Sequence, residues 1–160
     1  GTDIKMAQPS SNGNISFVLM VNKQGQTRLA SYYEWMSVAQ RVQLEGEIIR
    51  KCITRPPEAC QILHVRGYCV VYRRYASLFF IVGCLGKNEN ELETLEFIHC
   101  LVETMDRYFD SVCELDIMFN LEKAHMILDE MVANGVVYDA NKASTLATIA
   151  LVEKVGKERD

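Results

Sequence analysis

Two stretches of this chain, Ile15–Val21 and Leu78–Leu85, are apolar almost without interruption and too short for an ordinary helix. A strand that is apolar at every position has to be covered on both faces. The chain must therefore build a sheet with a layer packed on each side. The remaining sequence has to supply those layers.

The pattern of the rest answers that demand. Asn22-Lys23-Gln24-Gly25-Gln26 reads as a hairpin turn, with Gly25 free to take positive φ. Thr27–Tyr33 returns as a second strand. From Ser37 to Ile53 the period changes, with Val38, Val42, Ile48, Ile49, Cys52 and Ile53 mostly three or four apart. This predicts a helix, interrupted in its stripe by Glu45, weakened at Gly46 and stopped by Arg55-Pro56-Pro57. Cys60–Val65 reads as a short strand and Arg66-Gly67 as a turn. Tyr68–Tyr75 alternates, with Tyr68, Val70 and Tyr72 on one face and Cys69, Val71, Arg73 and Tyr75 on the other. After Leu85 the loop Gly86–Asn90 follows.

The second half is helical. Leu92, Leu95, Ile98, Val102, Met105 and Phe109 form one stripe, opposed by Glu93, Glu96, Glu103 and Arg107. Ser111-Val112-Cys113-Glu114 has the form of a capping box and predicts a helix start. Asn120 is placed as a cap for a further helix that stops at Asn134-Gly135. Asn141–Val155 reads as a last, weaker helix. The run Leu115–Leu121 is apolar nearly all the way round, which calls for burial on more than one side. Met126, Ile127, Leu128, Met131 and Val132 follow it; an α+β domain of this size could bury both stretches, and a partner surface is the other reading.

The chain of 160 residues is one domain's worth, read as a core over 15–155. Gly1–Lys5 reads as a foreign leader before a native start at Met6, and 1–14 as flexible; 156–160 reads as a frayed tail. No apolar run approaches the roughly 20 residues of a membrane-spanning helix. A net charge of −4 argues against a chain that lives on phosphate contacts, so nucleic acid is not expected as a partner.

Sites for chemistry are sparse. Cys52, Cys60, Cys69, Cys84, Cys100 and Cys113 form no CxxC pair and lie in apolar runs, as reduced structural thiols do. The pattern is that of a reduced, cytoplasmic protein. Phosphate loops, a GxSxG elbow and HExxH are absent. His64 with Cys60 or Cys69 would need a lowered thiol pKa and an orienting third group, which the sequence does not supply. His99 and Cys100 point about 100° apart on a helix. Asp106, Asp110, Glu114 and Asp116 read as caps and a solvated face, without the alternation of a calcium loop. Arg28, and Arg73-Arg74 in an apolar strand, fit either a solvent edge or an anion contact. No cofactor, no metal and no catalysis are expected.

Several stretches together resemble one family. They are Phe17–Leu29, with its Val-Asn-Lys-Gln-Gly-Gln-Thr-Arg-Leu run, then Tyr72-Arg73-Arg74-Tyr75-Ala76-Ser77-Leu78, Glu96–His99, Cys113–Asn120 and Ile127–Met131. In order and spacing they resemble the sigma (small) subunits of the heterotetrameric clathrin-adaptor complexes, over about Ile15–Val152. The first run and Met118–Met131 are most similar to the sigma subunit of the fourth such complex.

The resemblance implies an α+β, longin-like fold: a five-stranded antiparallel sheet flanked by helices. It implies tight association with one large adaptin subunit inside a four-chain vesicle coat, peripheral on trans-Golgi or endosomal membranes. Relatives read sorting signals in cargo tails in which an acidic residue stands four positions before a Leu-Leu or Leu-Ile pair. Matched by motif, the apolar pocket would be Ala76, Leu78, Val102, Val112 and Ile117, with Arg28 facing the acidic residue. Ser111 stands at the rim where relatives commonly carry Asn. The alternatives are a purely structural subunit, or another longin-type trafficking module without a cargo pocket.

Overall fold

The computed structural model describes residues 4–6, 15–56, 61–85 and 91–134. The strands are β1 (Ile4–Met6), β2 (Ile15–Asn22), β3 (Thr27–Tyr32), β4 (Ile62–Val65), β5 (Tyr68–Tyr75) and β6 (Leu78–Leu85). The helices are α1 (Val38–Thr54), α2 (Glu91–Phe109), α3 (Glu114–Phe119) and α4 (Leu121–Asn134). The sheet runs β1-β3-β2-β6-β5-β4. Its five strands from β3 to β4 are antiparallel, as the resemblance implies. The sixth is an addition: β1 lies parallel to β3, with Ile4 opposite Ala30, in a segment the sequence leaves outside the fold.

The two uniformly apolar runs are the neighbouring central strands β2 and β6, joined from Ile15–Cys84 to Asn22–Leu78. Alternate residues feed two cores. Phe17, Leu19 and Val21 face α1 with Leu44, Ile48 and Cys52, while Val18, Met20, Phe80 and Val82 face α2, α3 and α4. β3 and β4 lie on opposite sides of the β2–β6 pair, so α1 connects strands on the two halves of the sheet.

Local chemistry sets the joints. Ser37 caps α1 by accepting from Gln40 N at 3.2 Å, while the Gln40 side chain accepts from Ser37 N. Asn22 Oδ1 accepts from Gln24 N and Gln26 N, and Gly25 takes φ +88. Arg66-Gly67 turns with both residues at positive φ. Glu45 interrupts the stripe of α1 for a reason: the buried Tyr32 hydroxyl donates to its Oε1.

Three helical expectations need correcting. The buried face of α1 is Leu44, Ile48 and Cys52, with Arg41 over the Tyr32 ring one turn earlier, and Val38 and Val42 are exposed because they lie to one side of that face. The face of α2 is rotated onto Phe97, Ile98, Leu101, Val102 and Met105, leaving Leu92 exposed. The cap of α3 is Cys113, not Ser111: Cys113 N donates to Asp116 Oδ2 at 2.9 Å. Asp110 and Ser111 instead take left-handed φ of 53° and 74°, reversing the chain after α2. Asn120 stands where expected, directly before α4 with its carbonyl accepting from Ala124 N at 3.0 Å, and it also ends α3, its backbone N–H donating to Asp116 O. Pro57, Cys60, Gly86–Asn90, Gly135, the helix placed at Asn141–Val155 and the tail 156–160 lie outside the described residues.

Candidate functional site

Asn22 at the end of β2 pairs with Leu78 at the start of β6. Arg28 follows in β3, beyond the hairpin, and α3 packs against that strand. The topology thus brings the β2–β3 hairpin, the β5–β6 hairpin and the start of α3 to one end of the sheet.

The polar half of this region is a four-residue network. Arg28 Nε donates to Glu114 Oε1 at 2.7 Å, and Asn22 Nδ2 donates to the same oxygen at 2.8 Å. Gln26 Oε1 accepts from Arg28 Nη2 at 3.0 Å and from Asn22 Nδ2 at 2.9 Å. The side chains of Arg28 and Glu114 are 27% and 24% exposed, so the pair faces water from a shallow recess. The hydrogen bonds from Asn22 and Arg28 hold the Glu114 carboxyl below its ordinary range. A depressed folded pKa contributes stability above the unfolded value and loses it as pH falls through the folded one. The hold of the hairpin on α3 therefore weakens only in acid.

The apolar half is closed. Leu78, Val102, Val112 and Ile117 belong to one buried cluster, none more than 1% exposed. The resemblance implies side chains that line an opening, whereas these four are buried in one cluster with the rest of the α2–α4 side of the sheet. Ala76 is exposed at the tip of the β5–β6 hairpin with φ +54, where its small side chain limits the strain of a left-handed conformation. Ser111 is exposed beside Val112.

Asp106 is the organising residue that sequence reading treats as a solvated acid. Its Oδ1 accepts from Tyr75 OH at 2.7 Å and from Val112 N at 3.0 Å, tying the β5–β6 hairpin to the turn after α2. On its outer side α3 is bare. Leu115, Met118 and Phe119 stand at helical spacing and are exposed, Phe119 by 78%, while Ile117 faces inward. The expected burial of this run on more than one side is not met within the chain, because a helix this short reaches the core with a single residue.

The other candidates have structural explanations. Arg73 Nη1 lies 2.8 Å from His99 Nδ1, whose Nε2 faces Glu103, and Arg74 stacks over the Phe79 ring. His64 is opposite Cys69 in the β4–β5 ladder, and its Nε2 is 3.7 Å from Glu91, a carboxylate the sequence does not point to. Burial and Glu91 both raise the Cys69 thiol, the opposite of activation. Burial likewise pushes Cys52 up to about 12 and Cys84 up to about 11. In the folded chain at neutral pH, Cys52 and Cys84 are expected to stay unlabelled by a maleimide that consumes free cysteine, and to react once denaturant is added. Mass mapping of the labelled sites checks this; rapid labelling of either in the native state would contradict it. Across the sheet, a cleft of about 250 Å³ lies between Trp35, Leu44, Arg66 and Tyr68, and it includes none of the residues above.

Residues 14–156 match the family model described as clathrin adaptor complex small chain. The chain is 60% identical to the AP-4 complex subunit sigma of Arabidopsis thaliana over 88% of its length and 97% of that protein. It is 48% identical to the AP-4 complex subunit sigma-1 of Homo sapiens, covering 89% and 99%. To the AP-1 complex subunit sigma-2 of Arabidopsis thaliana the identity is 42%, covering 88% and 86%. The fold is similar to a chain of a homology model of the full-length AP-3 complex in a stretched open conformation. There the TM-score is 0.70 and the identity 24%, over 91% of this chain and 93% of that one.

Proposed function

The chain belongs to the clathrin adaptor complex small chain family and is a small subunit of an adaptor complex in vesicle trafficking, and from that premise we propose its specific role. It works as the sigma subunit of a four-chain adaptor of the fourth type. It is held by one large subunit, stabilises the core of the complex, and helps recognise acidic dileucine signals in cargo tails. It acts without catalysis on the cytoplasmic side of trans-Golgi or endosomal membranes, touching them only through the complex. No helix among the described residues is long and apolar enough to cross a membrane.

The observation that carries this reading is the two-sidedness of α3. Its outer face presents Leu115, Met118 and Phe119 to solvent, an apolar patch that a partner would cover. Its inner residue Ile117 is buried with Leu78, Val102 and Val112, and its first residue Glu114 pairs with Arg28. A partner on the outer face and a signal at the inner one would share a single short helix.

The energetics suit a reversible contact. Two buried leucines contribute about 1.5–3 kcal/mol each before ordering costs. A part-exposed ion pair adds about 0–1 kcal/mol. Opening the closed cluster subtracts from both, so sorting relies on several weak contacts at once.

The test is peptide binding by the assembled four-chain complex. Arg28→Glu sets a second carboxylate against Glu114 and against the peptide's acidic residue, and is expected to weaken binding of an acidic dileucine peptide by about fivefold or more, through that repulsion more than through the lost cation. Unchanged affinity would remove the pocket reading. Val102→Asp is a poor probe, because at 1% exposure it buries an unpaired charge and costs about 3–5 kcal/mol of stability. The closed cluster favours one second reading, a purely structural subunit, for which the unmutated complex binds no such peptide.

A further inference from the structure

We propose that Glu114 is a built-in competitor of the signal: it occupies Arg28 in the resting chain, so the acidic residue of a bound peptide gains little there. This rests on the dileucine reading and deepens it.

Three observations carry it. First, Arg28 is not a free cation, because its Nε is committed to Glu114 Oε1 at 2.7 Å. Second, that oxygen is held twice, since Asn22 Nδ2 donates to it at 2.8 Å, and Asn22 is itself fixed in the hairpin by its bonds to Gln24 N and Gln26 N. Third, the pair stands at the water-facing edge of the site, and Glu114 opens the helix whose Ile117 closes the apolar cluster.

The consequences follow from charge and from donor counting. A guanidinium has five N–H donors. Nε and one Nη2 hydrogen are taken by Glu114 and Gln26, which leaves donors on Nη1 and Nη2 for an incoming carboxylate. That carboxylate arrives beside the Glu114 anion, so it either displaces Glu114 or meets its repulsion. In both cases the net gain from the acidic position is small. The two leucines then carry most of the discrimination. Glu114→Gln keeps an oxygen to accept from Arg28 and Asn22, so α3 stays docked, but it removes the competing charge.

The experiment uses the assembled complex and two synthetic peptides, an acidic dileucine signal and the same peptide with Gln for its acidic residue. The unmutated complex is expected to bind them within about twofold of each other, and the Glu114→Gln complex to prefer the acidic one by about three- to fivefold, the range of a part-exposed ion pair. The new preference should shrink in high salt. Glu114→Ala serves as a second variant, with the same change in preference and no amide to refill the contact.

An unmutated complex that prefers the acidic peptide strongly and loses the preference in both variants would overturn the proposal, since Glu114 would then orient Arg28 for the signal. Equal ratios in all forms would overturn it as well. If only the variants bind peptide, the competitor role is supported in its strongest form. If no form binds either peptide, the dileucine reading falls and the proposal with it.

Discussion

Phe119→Asp is expected to separate the chain from the large subunit proposed to hold it while leaving its own fold intact. Phe119 is 78% exposed, so a charge there changes the stability of the isolated domain by no more than about 0.5 kcal/mol. In an interface, a buried aromatic anchor is commonly worth 2 kcal/mol or more, roughly a thirtyfold loss of affinity, and a buried unpaired carboxylate adds to that. Co-expression with the large subunit, followed by capture on a tag, reads the assembly. Thermal unfolding of the small chain alone reads the fold. Leu115 and Met118 share the face and should give smaller effects in the same direction. Trp35→Asp, on the α1 side of the sheet and equally exposed, is the internal comparison. If it breaks assembly and Phe119→Asp does not, the partner sits on the opposite layer.

The second large effect is internal. Gly83 lies in the central strand β6 directly across from Phe17, and a Cβ there would come within 2.1 Å of the Phe17 ring. Phe17 is wholly buried between Tyr32 and Tyr68, so the ring has nowhere to go. Gly83→Ala should destabilise the domain by about 3 kcal/mol through overpacking. For a chain of this size that lowers the melting temperature by roughly 6–12 °C. Phe17→Leu in the same chain should restore part of the loss, a coupling that a double-mutant cycle measures. An unchanged melting temperature for Gly83→Ala alone would contradict this packing.

The architecture was legible wherever a local pattern had one solution. Ile15–Val21 and Leu78–Leu85 could only be central strands, and they are adjacent. Gly25 and Arg66-Gly67 mark two turns through their own backbone chemistry, while the cap that Ser37 makes on α1 was not read. Periodicity was weaker at helix ends. It gives a stripe but not which edge of it turns toward the sheet, so Val38, Val42 and Leu92 were expected inside and are outside. The cap at Ser111 had the right spelling, but the tertiary reversal after α2 placed that residue in a left-handed turn. β1 could not be foreseen, because three residues of strand pairing carry no periodic signal.

The candidate site was half legible. Its residues were gathered by resemblance, and the structure buries Leu78, Val102, Val112 and Ile117 in one cluster and pairs Arg28 with the first residue of the helix that carries Ile117. The closure of the apolar cluster was not foreseen, nor was the ion pair across 86 positions of sequence. Nothing local marks Glu114 as the partner of Arg28 among the neighbouring acids. Asp106 and Asp116 have the same residue type and charge, yet they tie a hairpin and cap a helix. Only the fold assigns those roles.

The most direct test of this account is to capture the tagged chain from its native cells and weigh what accompanies it. Two large chains and one medium chain, each at one copy per small chain, are the predicted companions. Recovery of the chain alone, or with trafficking proteins that form no such four-chain assembly, would contradict the account.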